Sequence, residues 1–198
     1  MPKLPSTKIT KKSINSIRIN AGTWRSRLIK FPDADGLRPT PERVRQTLFN
    51  WLGQDLTGFE CLDLFAGTGI MGFESLSRGA KSATMVEKSH LAFKALQENK
   101  TTLNAIDARM FNQDALQFLA DSINPVSFNL IFLDPPYHQQ FIPKVLPLLP
   151  PFLAQNGLVY AEAEYEIKSS DHWQVLKQGK AGNVFYHLLK SSHVKITP

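Results

Sequence analysis

Phe59-Glu60-Cys61-Leu62-Asp63-Leu64-Phe65-Ala66-Gly67-Thr68-Gly69-Ile70-Met71-Gly72 runs from an apolar stretch into a glycine-rich turn and on into a second apolar stretch. Residues 59–65 read as a buried strand, and 69–78 as the helix that follows it. The glycines fit G-x-G-x-x-G: Gly67 for a tight turn, Gly69 for close approach of the backbone to a ligand, Gly72 for close contact of helix and strand. Alone the pattern is common. Between a strand and a helix it marks the first unit of a βα-alternating domain.

The alternation continues in both senses of burial and period. Residues 82–87 read as a strand and 89–103 as a helix, with Leu91, Ala95 and Leu96 apolar against Lys94, Glu98 and Lys100. A short strand at 108–112 precedes a helix opening at Asp114, with Leu116 and Leu119 inward. Residues 128–133 form another buried strand. Residues 141–153 hold four prolines and predict a short or broken helix, followed by the Asn156-Gly157 turn and a strand at 158–162. A last pair, 173–177 and 183–190 across Gly182, is antiparallel. The expected fold is α/β: a Rossmann-like doubly wound, mostly parallel seven-stranded sheet with a terminal antiparallel hairpin.

Ligands of such sheets sit at the carboxyl ends of the strands, and four of those ends carry chemistry. The strand 128–133 stops at Asp134-Pro135-Pro136-Tyr137, because proline cannot donate to a ladder. An acid, two rigid backbone units and a ring suit a planar base: the ring stacks, while the carboxylate and a carbonyl accept amino protons. The same four residues also fit a plain turn with a surface tyrosine. Glu87 ends the second strand, 18 residues after Gly69, where it can accept from a ribose. Asp114 follows the third strand, where it can accept from an adenine amino group, cap a helix, or both. Together with the glycine turn these acids describe a site for an adenosine-bearing cofactor. Asp63 disfavours a pyrophosphate and suits the sulfonium and ammonium of S-adenosylmethionine; NAD is the alternative. The candidate cofactor residues are Asp63, Phe65, Ala66, Gly67, Thr68 and Gly69 on the first turn, then Glu87 and Lys88, then Asp114 and Ala115.

The front of the chain differs in character. Of the net charge of +6, residues 1–57 hold 11 Lys/Arg against 4 Asp/Glu, and the remainder 12 against 13. Confined positive charge points to a polyanion partner. Residues 1–14 read as a basic flexible tail. Residues 15–57 read as an RNA-binding hairpin and helix, 58–190 as the Rossmann-like domain, and 191–198 as a second tail. The hairpin, centred on Asn20-Ala21-Gly22-Thr23, is expected to put Ile17, Ile19 and Leu28 or Trp24 on one face, with Arg18 and Arg25 or Arg27 on the other. In the helix, Thr40 fits the N-cap, Pro41 the first turn, and Val44, Leu48, Trp51 and Leu52 the core face. Arg18, Arg25, Arg27, Arg43 and Arg45 are the candidate phosphate contacts. Arg38 and Thr40 sit where a helix start can receive a carboxylate, so they are also candidates for the cofactor.

Other classes are excluded or unsupported. There is no apolar run of membrane-spanning length and no signal-peptide core at the start. One cysteine, Cys61, allows no internal disulfide, and the five histidines show no metal-ligand spacing. A cytoplasmic monomer without metal is expected.

These stretches resemble the class I S-adenosylmethionine-dependent methyltransferases, and Asp134-Pro135-Pro136-Tyr137 narrows the resemblance to those that methylate exocyclic amino nitrogens. Three more stretches narrow it further: Arg18 to Arg27, Leu37 to Leu52, and Ala181-Gly182-Asn183-Val184-Phe185-Tyr186. They are similar to the RsmD family of bacterial guanine-N2 methyltransferases acting on small-subunit ribosomal RNA, over about residues 17–189. The resemblance implies S-adenosylmethionine as cofactor and guanine N2 as target, on ribosomal RNA, a small subunit or an assembly intermediate. Asp134 and the Pro135 carbonyl would each accept one amino proton, aiming the nitrogen lone pair at the methyl group. Tyr137 would stack on a base splayed from its strand, worth about 1–3 kcal/mol. A DNA adenine-N6 methyltransferase would use the same four residues, but the chain has no evident target-recognition domain. A catalytically silent RNA-binding protein is disfavoured by the intact glycine turn, Glu87, Asp114 and Asp134.

Overall fold

The computed structural model describes residues 14–34, 37–122, 126–137 and 139–192. Seven strands make one sheet: β3 (Glu60–Asp63), β4 (Ser82–Val86), β5 (Ala108–Phe111), β6 (Phe128–Leu133), β7 (Leu153–Ala163), β8 (Trp173–Ala181) and β9 (Val184–Ser191). Their order is β5-β4-β3-β6-β7-β9-β8. Pairing is parallel from β5 to β7 and antiparallel for β9 against both β7 and β8. The expected architecture is therefore present. Chain order runs outward from β3 through β4 to β5, then restarts at β6 on the other side of β3. The gap between the ends of β3 and β6 is the topological switch point, where such sheets hold ligands.

Helices α2 (Ile70–Ser77), α3 (His90–Leu103), α4 (Ala115–Asp121) and α5 (Phe141–Val145) connect the parallel strands. Prolines cut the segment after α5 into two 3-10 turns, Leu146–Leu148 and Pro150–Phe152, as the four prolines predict. Side chains alternate between the two sheet faces. Cys61, Leu130, Phe132 and Tyr160 join one core cluster, while Leu62, Ile131, Leu133 and Ala161 join the other.

The front of the chain builds onto the first of these clusters. A separate two-stranded sheet, β1 (Ile14–Arg18) and β2 (Leu28–Pro32), precedes α1 (Glu42–Leu52). Ile19, Ile29, Val44, Leu48 and Phe49 are buried in the same cluster as Phe132 and Tyr160. Hydrogen bonds fix the hairpin on two helices. Thr23 N donates to Ser77 O (2.8 Å), Trp24 N to Ser77 Oγ (2.9 Å) and Lys30 N to Asn99 Oδ1 (3.0 Å). Gly22 has φ +80°, and a Cβ there would lie 1.7 Å from Ser77 O, so only glycine lets the loop reach the end of α2.

Several boundaries depart from expectation. The inward residues of β2 are Ile29 and Phe31, and Leu28 is exposed: the loop from Ile19 to Arg27 is longer than a tight turn, which shifts the register by one and reverses the faces. Asn156 and Gly157 do not precede a strand; they lie inside β7 as an irregularity opposite β6, with Asn156 at φ +62°. Pro41, not Thr40, is the residue before the first turn of α1, and no side chain caps that helix. Strand β1 starts at Ile14, within the stretch expected to be a tail. Residues 1–13 and 193–198 of the expected tails, and His138, lie outside the described residues.

Candidate active site

The glycine turn has the form the spacing predicts. Gly67 and Gly69 have φ +51° and +78°, and a Cβ on Gly69 would lie 2.4 Å from Leu96 and 2.8 Å from Phe73. A Cβ on Gly72 would lie 2.7 Å from the sulfur of Met85, so the third glycine is what lets α2 lie against β4. Asp63 is buried at the end of β3, where it accepts from the backbone amides of Phe65 and Gly72. Its Oδ2 has no partner among the described residues. Burial, with a further contribution from the charge of Glu87, pushes its carboxyl up to about 7.

The other cofactor candidates surround this turn. Phe65 is half-buried and meets Phe141 edge-on at 5.1 Å. Ala66 is buried and donates to Val86 O (2.9 Å), and Thr68 is buried with its Oγ1 accepting from Ile70 N (3.4 Å). Glu87 accepts from Gly67 N on one oxygen (2.8 Å) and from Ser89 N on the other (2.6 Å), which ties the end of β4 to the glycine turn. A carboxylate has about four acceptor positions, so capacity for hydroxyls remains. Asp114 caps α4, accepting from Leu116 N (2.9 Å) and Gln117 N (3.4 Å), and pairs with Lys88 Nζ (3.2 Å). Ala115, next to it, is buried, and Arg38 is exposed.

Register explains what gathers around Asp134. Leu133 pairs with Ala161, so Asp134 and Glu162 are the next residues on neighbouring parallel strands. Leu133 and Ala161 face one cluster, so the two carboxyls face the other, toward α1. Thr40, buried just ahead of α1, meets both. Its hydroxyl donates to Asp134 Oδ2 at 3.4 Å and hydrogen-bonds Glu162 as well. Tyr160 donates to Glu162 Oε1 at 2.8 Å. Burial raises Asp134 well above the usual carboxylate range, and the charges of Glu162 and Asp63 raise it further. Burial likewise raises Glu162. Pro135 is buried, Pro136 is exposed, and Tyr137 is 43% exposed, with its ring free to receive a partner.

Glu162 was missed in the sequence. Its one signal is an acid inside the apolar run Val159-Tyr160-Ala161-Glu162-Ala163, where nothing in a plain strand calls for a charge.

The arginines divide. Arg18, Arg25, Arg27 and Arg43 are exposed. Arg45 is not a surface contact: it is 1% exposed, pairs with Glu74 Oε2 at 2.5 Å, and donates to Thr40 O (3.2 Å) and Arg18 O (3.1 Å). Glu74 also pairs with Arg78 at 2.7 Å, so a triad of charges holds α1, β1 and α2 together. Arg45 is a structural cation and leaves the set of phosphate contacts. No group of three His, Cys, Asp or Glu among the described residues is placed to hold a metal. No helix among them is long and apolar enough to cross a membrane.

A glycine turn, acids on successive strand ends and Asp-Pro-Pro-Tyr at the switch point of this sheet define a methyltransferase of the Rossmann-like class. Solved structures agree. The chain superposes on yhhF of Escherichia coli, described as a candidate methyltransferase, with a TM-score of 0.79 and 40% identity, covering 89% of this chain and 98% of that one. A candidate methylase from Haemophilus influenzae gives 0.75 and 37%, covering 90% and 99%. The family model described as "Conserved hypothetical protein 95" matches residues 17–190, and the chain belongs to this family, the RsmD family. It is 41% identical over 177 residues to ribosomal RNA small subunit methyltransferase D of Escherichia coli, covering 87% of this chain and 88% of that protein. Against the Haemophilus influenzae protein of the same name it is 39% identical over 181 residues, covering 88% and 94%.

Proposed function

We propose that this enzyme transfers a methyl group from S-adenosylmethionine to the exocyclic N2 of a guanine in small-subunit ribosomal RNA. The observation that carries the reading is the juxtaposition at the switch point: Asp134 after β6, beside a glycine turn whose floor is the unpartnered Asp63 Oδ2. The donor fits what is there. An anionic oxygen without a partner next to a glycine turn receives a cation better than a pyrophosphate, which disfavours NAD. Asp63 would hold the positively charged end, Glu87 the ribose and Asp114 or its neighbours the adenine edge. Bound there, S-adenosylmethionine supplies an electrophilic methyl group.

The remaining work falls to residues of this chain. Asp134 and the Pro135 carbonyl accept the two amino protons, so the nitrogen is held with its lone pair directed rather than conjugated into the ring. Tyr137 supplies the face on which the base stacks. The base must leave its own stack to reach a strand end, which favours a single-stranded or opened segment of RNA. Exposed Arg18, Arg25, Arg27, Arg38 and Arg43, with the lysines of the first 13 residues, supply the attraction for phosphates. The family's relatives named for small-subunit ribosomal RNA support the substrate class.

The test is tritiated methylation of total RNA and of ribosomal particles, followed by nucleoside identification; label on N6-methyladenine would overturn the reading. Asp134→Ala should retain the cofactor by calorimetry and lose transfer by at least about 10²–10³-fold.

A further inference from the structure

Asp134 presents a conflict that the proposed reaction leaves open. It accepts an amino proton most strongly, and best offsets the positive charge that methylation places on the nitrogen, when it is ionised, yet it stands beside a second, buried carboxyl with no cation paired to either among the described residues. Resting on the reading above, we propose that Glu162 is a positioning residue that takes the proton from Asp134 through the Thr40 hydroxyl, so that Asp134 faces the target amino group as an acceptor. Thr40 Oγ1 is within hydrogen-bond reach of both carboxyls, and it has one proton to give. It therefore serves the pair best when they hold one proton between them. In one arrangement Asp134 carries the proton and Glu162 is the anion, accepting from Thr40 and Tyr160. In the other the Asp134 O–H bond has broken toward Thr40 Oγ1, the Thr40 O–H bond has broken toward Glu162, and Asp134 is the anion. The charge on the pair is −1 in both, and no other reactant is needed.

Arrival of the base selects the second arrangement, because an anionic Asp134 accepts an amino proton more strongly than a neutral one and offsets the charge that methylation places on the nitrogen. Glu162 is suited to hold the proton: it is 3% exposed, and neutral it can keep accepting from Tyr160 while donating to Thr40. The groups that face the pair all favour a single shared charge. Asp63 from β3 adds negative charge, burial holds Tyr137 and Tyr160 in their neutral forms, and the charge of Glu164 acts on Tyr137 in the same sense. Arg45, a buried cation nearby, reaches the Thr40 carbonyl and is committed to Glu74.

Three variants and a titration decide it. Thr40→Val keeps the shape and removes the bridge; the acid limb of kcat/KM should move up by about one pH unit, since Asp134 must then ionise beside an anionic Glu162. Its kcat should fall about tenfold. Thr40→Ser should keep the wild-type limb. Adding Glu162→Gln to Thr40→Val should bring the limb back down, because the neighbouring charge is gone. In the protein alone, the 13C signal of the Asp134 carboxyl should titrate in two steps in the wild type and in one step in Glu162→Gln. An acid limb unmoved by Thr40→Val, or a single Asp134 step in the wild type, overturns the relay. The titration needs neither RNA nor cofactor and no folded variant for its wild-type arm. A wild type that methylates a different atom thus overturns the substrate reading and leaves the two-step titration standing as the judge of the relay.

Discussion

A carboxyl held in the floor of a site with one oxygen unpartnered is unfavourable until a ligand arrives, and Asp63 is that residue. Its ordinary value is 3.8 and burial raises it to about 7, so the folded protein binds this proton more tightly than the unfolded chain. Stability from this group is therefore full below about pH 4 and is lost as pH rises toward 7, by at most about 4 kcal/mol. Asp134 and Glu162 are raised too and add to the same slope. We expect the melting temperature of the ligand-free protein to fall between pH 5 and 8, and Asp63→Asn to make that fall shallower. A cationic ligand favours the ionised carboxyl, so the affinity for S-adenosylmethionine should weaken as pH drops below about 7 in the wild type. In Asp63→Asn it should be weaker throughout and nearly independent of pH. Calorimetry across that range reads both; a wild-type affinity flat with pH would remove Asp63 from the cofactor's charged end.

At the scale of elements, α1 and the front hairpin are part of the methyltransferase core, and one acid holds the joint. Glu74 of α2 is 0% exposed and pairs with both Arg45 of α1 and Arg78 at the end of α2. Arg78 in turn lies over the Phe49 ring at 4.1 Å and donates to Gln54. Glu74→Leu would leave two guanidiniums buried without a counter-charge, at a cost of about 3–5 kcal/mol. For a chain of this size that is a drop of roughly 10 °C in melting temperature, and a drop under about 2 °C would show the triad to be solvated or replaceable. Arg45→Met in the same chain should recover part of the loss. This joint also marks the limit of what local pattern can say. The glycine turn, the strand-ending prolines and the βα rhythm are written in neighbouring residues, so they could be read directly. Arg45 sits one turn into a helix among Glu42, Arg43 and Gln46, and its buried counter-charge comes from the distant Glu74. Thr40 has an N-cap's composition, but the helix begins one residue later, behind Pro41, and its hydroxyl meets Asp134, 94 positions away. The parallel register that puts Asp134 beside Glu162 depends on two strands finding each other, which no single stretch encodes.

Taken whole, the molecule places its catalytic edge and its exposed arginines unequally. The loop bearing Arg25 is bound at Ser77, the last residue of α2, and Arg27 donates to Thr102 O near the end of α3. Both helices begin at the cofactor edge, and α2 alone, 8 residues long, spans about 12 Å. Arg38 and Arg43 instead flank Thr40, which touches Asp134. On the proposed reading, phosphates next to a base at Asp134 and Tyr137 would fall to Arg38 and Arg43, and Arg25 and Arg27 would meet a more distant part of the same RNA. Removing residues 1–57 would not test this, because Val44, Leu48 and Phe49 belong to the core beneath β6 and Thr40 to the site. The sharper experiment compares Arg38→Glu with Arg43→Glu against Arg25→Glu with Arg27→Glu, each pair in the full chain. The second pair should leave S-adenosylmethionine affinity unchanged. Each lost phosphate contact should reduce the slope of log affinity against log salt by about 0.7 on single-stranded RNA. On a short RNA bearing little beyond the target nucleotide, only the first pair should weaken binding; on the intact small subunit both should. Equal effects of the two pairs on the short RNA would mean that the strand enters along α2 and α3 rather than across the start of α1.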